Sequence, residues 1–115
     1  MSSDREMLEL AAKAAGHRVN ARMQAERDAL GYGDAGLWID GVSTCWNPLT
    51  DADHALRLAV TLRMRLTLPK YKGFGTSAEP WADGAVGVTS FREDPVAQTL
   101  EAIVRAAAEI GRLMP

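Results

Sequence analysis

The chain has 115 residues and a net charge of −2, and 47% of it is apolar, with 19 alanines in that share. That is enough apolar side chain for one core and too little for two, and a charged fraction of 24% with so small a net charge excludes a disordered tail or a polyanion-coating protein. No apolar run approaches the ~18 residues of a membrane span; Met1 to Glu9 lacks a signal-peptide core, and the single cysteine, Cys45, excludes an internal disulfide and fits a reducing cytosol.

In chain order, the first element is a helix. Ser3 and Glu6 have capping-box spacing. Met7, Leu8, Leu10, Ala11, Ala14 and Ala15 form a helical apolar stripe, and Gly16 fits the closing C′ position. From His17 to Ala25 the pattern alternates, with Val19, Ala21, Met23 and Ala25 on one side. Period two favours a half-buried strand over residues 17–30, which is the reading taken. The Ala, Arg, Gln and Met content favours a helix, which stays as the alternative. Gly31 to Gly36 is a turn, Leu37-Trp38-Ile39 a short strand, and Asp40-Gly41 a second turn.

Pro48 holds Asn47 out of the helical region. Thr50 then caps a second helix, with Asp51 and Asp53 in its first turn, where the dipole favours acids. Ala55, Leu56, Leu58, Ala59, Val60 and Leu62 make this the helix expected to be most buried. Met64, Leu66 and Leu68 alternate with Arg63, Arg65 and Thr67 in a strand that Pro69 ends. Residues 69–84 read as a long loop, and Ala85 to Phe91 as a strand pairing antiparallel with residues 64–68. The last helix starts at Asp94 with Pro95 at N1. Val96, Leu100, Ile103, Val104, Ala107, Ile110 and Met114 are expected on its inner face, and Glu101 and Arg105 are expected to pair on its solvated one. The reading is one α+β domain in the order α-β-β-α-β-β-α, with helices packed on a small, mostly antiparallel sheet.

Four constellations carry chemistry. Asp40, Asp51, Asp53 and His54 offer oxygen and nitrogen ligands for a cation, but Asp51 and Asp53 stand where a helix start wants acids. Cys45 has no imidazole placed to activate it and reads as structural. Lys70, Tyr71, Lys72 and Phe74, with Arg63 and Arg65, interleave cations and aromatic rings in a way that suits a phosphate and a base. Trp38, Trp46 and Trp81 read as lids on the core or anchors at an interface. No catalytic triad, CxxC pair, HExxH or dinucleotide fingerprint occurs, so an enzyme is the least supported class, and no cofactor is implied.

The segments Leu37-Trp38-Ile39, Trp46-Asn47-Pro48-Leu49-Thr50-Asp51, and His54-Ala55-Leu56-Arg57-Leu58-Ala59-Val60 resemble the phage ABA sandwich domain family. So do Leu10 to Gly16 and the run from Ile103 to Arg112, in the same order. The resemblance covers about half the chain and leaves residues 17–36 and 69–84 unmatched. It implies an α/β/α sandwich with helices on both sheet faces, in a phage or prophage accessory protein of the bacterial host cytoplasm. It brings no catalytic residues. The leading expectation is a non-enzymatic protein that binds a host protein, such as a defence factor. The first alternative sequesters a nucleotide-type ligand. The second, a metal-dependent enzyme, needs Asp51, Asp53 and His54. The binding candidates are Arg63, Arg65, Lys70, Tyr71, Lys72, Phe74, Trp81 and Trp46, and homodimerisation is left open.

Overall fold

A computed structural model describes residues 4–32, 36–41, 45–81 and 87–115. The chain is α+β. Its elements run α1 (Asp4–Ala14), α2 (Ala21–Ala29), α3 (Ala52–Thr61), β1 (Arg65–Thr67), β2 (Thr76–Glu79), β3 (Val88–Ser90) and α4 (Pro95–Leu113). This order replaces the expected α-β-β-α-β-β-α.

α1 carries Asp4 and Glu6 in its first turn and Lys13 in its last, complementing the dipole at both ends. Ser3 lies outside the described residues. Gly16 closes the helix at φ 78° as expected. The His17 N–H donates to Ala12 O at 2.9 Å and the Gly16 N–H to Lys13 O at 3.1 Å, a Schellman motif.

Residues 17–30 are not a strand. Only Val19 forms a bridge, to Ile39, and the segment then turns into α2. The Asn20 side chain accepts from the Met23 N–H at 3.0 Å, a cap that the period-two pattern concealed. The residues behind that cap are good helix formers, so composition outweighs alternation here. α2 is tied down by polar contacts: Gln24 Oε1 accepts from the Trp38 N–H at 2.8 Å, and Arg5 of α1 makes two 3.1 Å bonds to Asp28. The Arg5 bonds hold the Asp28 carboxyl below the usual carboxylate range.

Leu37 to Ile39 is extended but joins no sheet. It makes isolated bridges from Leu37 to Trp46 and from Ile39 to Val19. Leu37, Ile39 and Trp46 are buried in the main core with Leu8, Leu58, Leu100, Ile103 and Val104. The cap of α3 is Asp51 rather than Thr50, since the Asp51 side chain accepts from the His54 N–H at 3.1 Å. α3 is not the most buried helix: it hides Ala55, Leu58 and Ala59, while Leu56 and Val60 are exposed. That place belongs to α4. α3 ends with the hydrogen bonds that close α1, Met64 N–H to Ala59 O and Arg63 N–H to Val60 O. Here the left-handed residue is Arg63, at φ 51°.

The three strands lie in the order β1-β2-β3, both pairs antiparallel. Residues 88–90 therefore pair with β2, not with 65–67, and β2 falls inside the expected 69–84 loop. Ala85 and Val86 lie outside the described residues. Thr76 and Ala78 are the buried positions of β2. Such small side chains give no apolar alternation to read. In register, Leu66, Ala78 and Val88 face inward on one row. They pack on Ala102 and Ala106 of α4. On the other face Arg65, Thr67, Glu79 and Thr89 are exposed. The sheet thus has α4 on one face and a polar, exposed opposite face, which differs from a sandwich with helices on both. α1 and α3 pack on α4 in turn.

Asp94 and Pro95 start α4 as expected, with the Asp94 side chain accepting from the Ala97 N–H at 3.0 Å. Its inner face differs from the expected one. Val96 and Met114 are exposed, because both ends of α4 overrun the core, and Gln98 is only 4% exposed. Glu101 pairs with Arg92 instead of Arg105. The Arg105 guanidinium donates to Thr89 O at 2.8 Å and Ser90 Oγ at 2.9 Å.

Candidate functional site

β1 and the segment leaving it gather most of the expected site residues. Pro69 ends the strand because it cannot continue the ladder. The chain then turns at Gly73, φ 91°, before entering β2. Gln98 fixes this turn from below: its Nε2 donates to Phe74 O at 3.0 Å and Thr76 Oγ1 at 3.1 Å, and its Oε1 accepts from the Arg92 N–H at 2.8 Å. The backbone is thereby held while the side chains above it remain outside. Leu68, Tyr71, Phe74 and Trp81 are 63%, 62%, 61% and 71% exposed, and Val96 of α4 is 60% exposed. Leu68, Pro69, Pro95, Val96, Thr99 and Leu100 line an apolar groove of about 400 Å³.

The cations divide into small groups. Arg65 stands 5.9 Å over the Trp81 ring, and Lys70 stands 5.7 Å over Tyr71, which packs against Phe74 at 6.0 Å. Arg65, Glu79, Pro80 and Trp81 line a second groove of about 330 Å³. Arg63 and Lys72 are exposed. Among the described residues, none of Arg63, Arg65, Lys70 and Lys72 forms an ion pair. Arg65 faces Glu79 across the strand register without an ion-pair contact.

Trp46 does not belong to this surface. It is buried, with His17 edge-on to it at 5.4 Å. Both line a separate cleft of about 780 Å³ whose wall includes Asp53, His54, Arg57 and Val60. His17 and His54 are 37 positions apart, so no local spacing announced this cleft. His54 Nδ1 accepts the Asn47 N–H at 3.1 Å, which places its neutral proton on Nε2. His17 stays partly exposed; desolvation of its covered side, and then the nearby His54, lower its pKa.

Below its ordinary value of about 6.5, folded His17 resists protonation that the unfolded chain accepts. The stability it contributes is complete above that pH and is lost as pH falls through the lowered value. Melting temperature should therefore drop as the buffer moves from pH 7 to pH 5. His17→Gln should flatten the drop, and an unchanged slope in that variant would refute the assignment.

The Asp51, Asp53 and His54 cluster is engaged otherwise. Asp51 caps α3, and Asp53 accepts from Arg57 at 2.9 Å. Among the described residues, no group of three or more His, Cys, Asp or Glu side chains is placed to hold a metal ion. Likewise, no described helix is long and apolar enough to cross a membrane. Trp38 carries Arg27 4.6 Å over its ring, so the three tryptophans divide into one core residue, one helix-facing lid and one exposed ring.

Comparison with protein-family models, with curated proteins and with solved structures finds no match.

Proposed function

We propose that this chain is a non-enzymatic binding protein whose partner is another protein, met at the β1 edge and residues 68–81. In the phage or prophage setting that the resemblance implies, the partner is a host protein of the bacterial cytoplasm. One observation carries the reading: Leu68, Tyr71, Phe74, Trp81 and Val96 are each exposed by 60% or more, and buried Gln98 holds the backbone at Phe74 in place. Exposed apolar side chains beside a groove mark interaction sites, and aromatic anchors contribute most of the binding energy at such sites.

The test is photo-crosslinking in host cells from position 72, an exposed site that leaves Tyr71 and Phe74 in place. One host protein should dominate the adducts. A Tyr71→Ala, Phe74→Ala variant with unchanged melting temperature should capture at least tenfold less of it, as expected for hot-spot losses of about 2–4 kcal/mol. Equal capture by the variant would end the proposal.

A second reading, sequestration of a nucleotide, draws on Lys70 over Tyr71 and Arg65 over Trp81. It is the weaker one, because Lys70 and Arg65 each already lie over one face of these rings. A nucleotide bound a hundredfold above its Kd stabilises by about 2.7 kcal/mol, so a panel in thermal denaturation decides it.

A further inference from the structure

We propose that the open edge of β1 takes an extended, acidic peptide segment of the partner as a fourth strand. The inference rests on the protein-binding reading above and specifies its partner. The sheet has two edges, and they differ. At β3, Arg105 of α4 already occupies Thr89 O and Ser90 Oγ. At β1, among the described residues, only the ladder to β2 engages the strand backbone. An edge strand with unpaired N–H and C=O groups is a template for another strand.

The charge around this edge selects the occupant. Residues 63–78 contain Arg63, Arg65, Lys70 and Lys72 and no Asp or Glu, in a chain whose net charge is −2, and Glu79, opposite Arg65 on β2, lies on the side away from the open edge. Arg63 is kept at a left-handed position that suits glycine. Arg65 and Thr67 face the polar side, while Leu66 faces the core and Leu68 lies beside the apolar groove. An added strand therefore meets cations on one face and apolar side chains on the other. An alternation of acidic and apolar residues matches both. A second copy of this chain fits poorly, since pairing β1 with β1 brings Arg63 and Arg65 of each copy together. A single-stranded nucleic acid would compete with Lys70 and Arg65 for one face each of Tyr71 and Trp81.

The test is fluorescence anisotropy with five probes: an alternating valine–glutamate heptapeptide, its valine–lysine counterpart, the glutamate peptide N-methylated at alternate residues in each of the two phases, and oligothymidylate. The glutamate peptide should bind at least tenfold tighter than the lysine peptide. N-methylation in one phase should abolish binding and in the other leave it intact, since only alternate N–H groups face the ladder. Arg63→Gly should raise the melting temperature while weakening peptide binding several-fold, which separates the role of Arg63 from folding. Equal binding of both N-methylated forms, or preference for the lysine peptide or for oligothymidylate, would overturn the inference. If the glutamate peptide fails to bind while position 72 still captures a partner dependent on Tyr71 and Phe74, the inference falls and the protein-binding reading survives.

Discussion

Gly111→Ala is expected to destabilise the fold by about 2 kcal/mol, in the range for overpacking a tight core. In an isolated helix the same change would add up to about 1 kcal/mol of stability. The reversal comes from one contact. A Cβ at position 111 would stand 2.2 Å from Leu10 O and 2.8 Å from Leu10 C. Both are backbone atoms, so no side chain can rotate aside. α1 and α4 meet here through small residues, with Ala11, Ala12, Ala107 and Ala108 all buried. Accommodating one methyl group means moving a helix axis. For a chain of this size the melting temperature should fall by roughly 8 °C, at about 4 °C per kcal/mol. A Gly111→Ala variant that melts at or above the wild type would show that the two helices do not approach this closely.

Gln98→Leu should cost about 3 kcal/mol even though it exchanges a polar for an apolar side chain at a buried site. The glutamine satisfies Phe74 O and the Arg92 N–H, and shares Thr76 Oγ1 with Thr99. Leucine leaves the first two without that partner, at about 1–3 kcal/mol each. Urea denaturation should show a lower midpoint at an unchanged slope. Amide exchange at Arg92 should accelerate beyond what the global loss explains. A stability within about 0.5 kcal/mol of wild type would mean that these hydrogen bonds are absent in solution.

The ends of elements were legible where the signal is local. Asp94 with Pro95 and Gly16 are read correctly because a cap and a C′ residue act on their own turn. Asn20 is an equally local cap, and it was obscured by the alternation of Val19, Ala21, Met23 and Ala25. Strand pairing was not legible. Thr76-Ser77-Ala78-Glu79 is the central strand, and its inward residues are a threonine and an alanine, which resemble loop composition. The size of these side chains makes sense only beside Ala102 and Ala106, so the information is tertiary. Similarly, Gln98 reads as a surface residue until Phe74 and Arg92 are known to lie over it. The sequence places Trp46 with the exposed residues around β1 on its type alone, whereas the fold buries it. The His17–His54 cleft joins side chains that only the fold brings together.

α4 is the shared neighbour of α1, α3, β2 and β3, and this has a consequence for timing. During synthesis α1, α3, β2 and β3 emerge without the helix they pack against. Lys13 Nζ finally bonds Met114 O at 3.0 Å, 101 positions away. Closing so long a loop comes late and lowers the folding rate, as a high mean separation of contacts does. Until then Leu8, Leu58 and the inner row of the sheet face water, and the nascent chain is at its most prone to aggregate. Pulsed labelling of ribosome-bound chains should find these positions unprotected until the whole of α4 has left the exit tunnel.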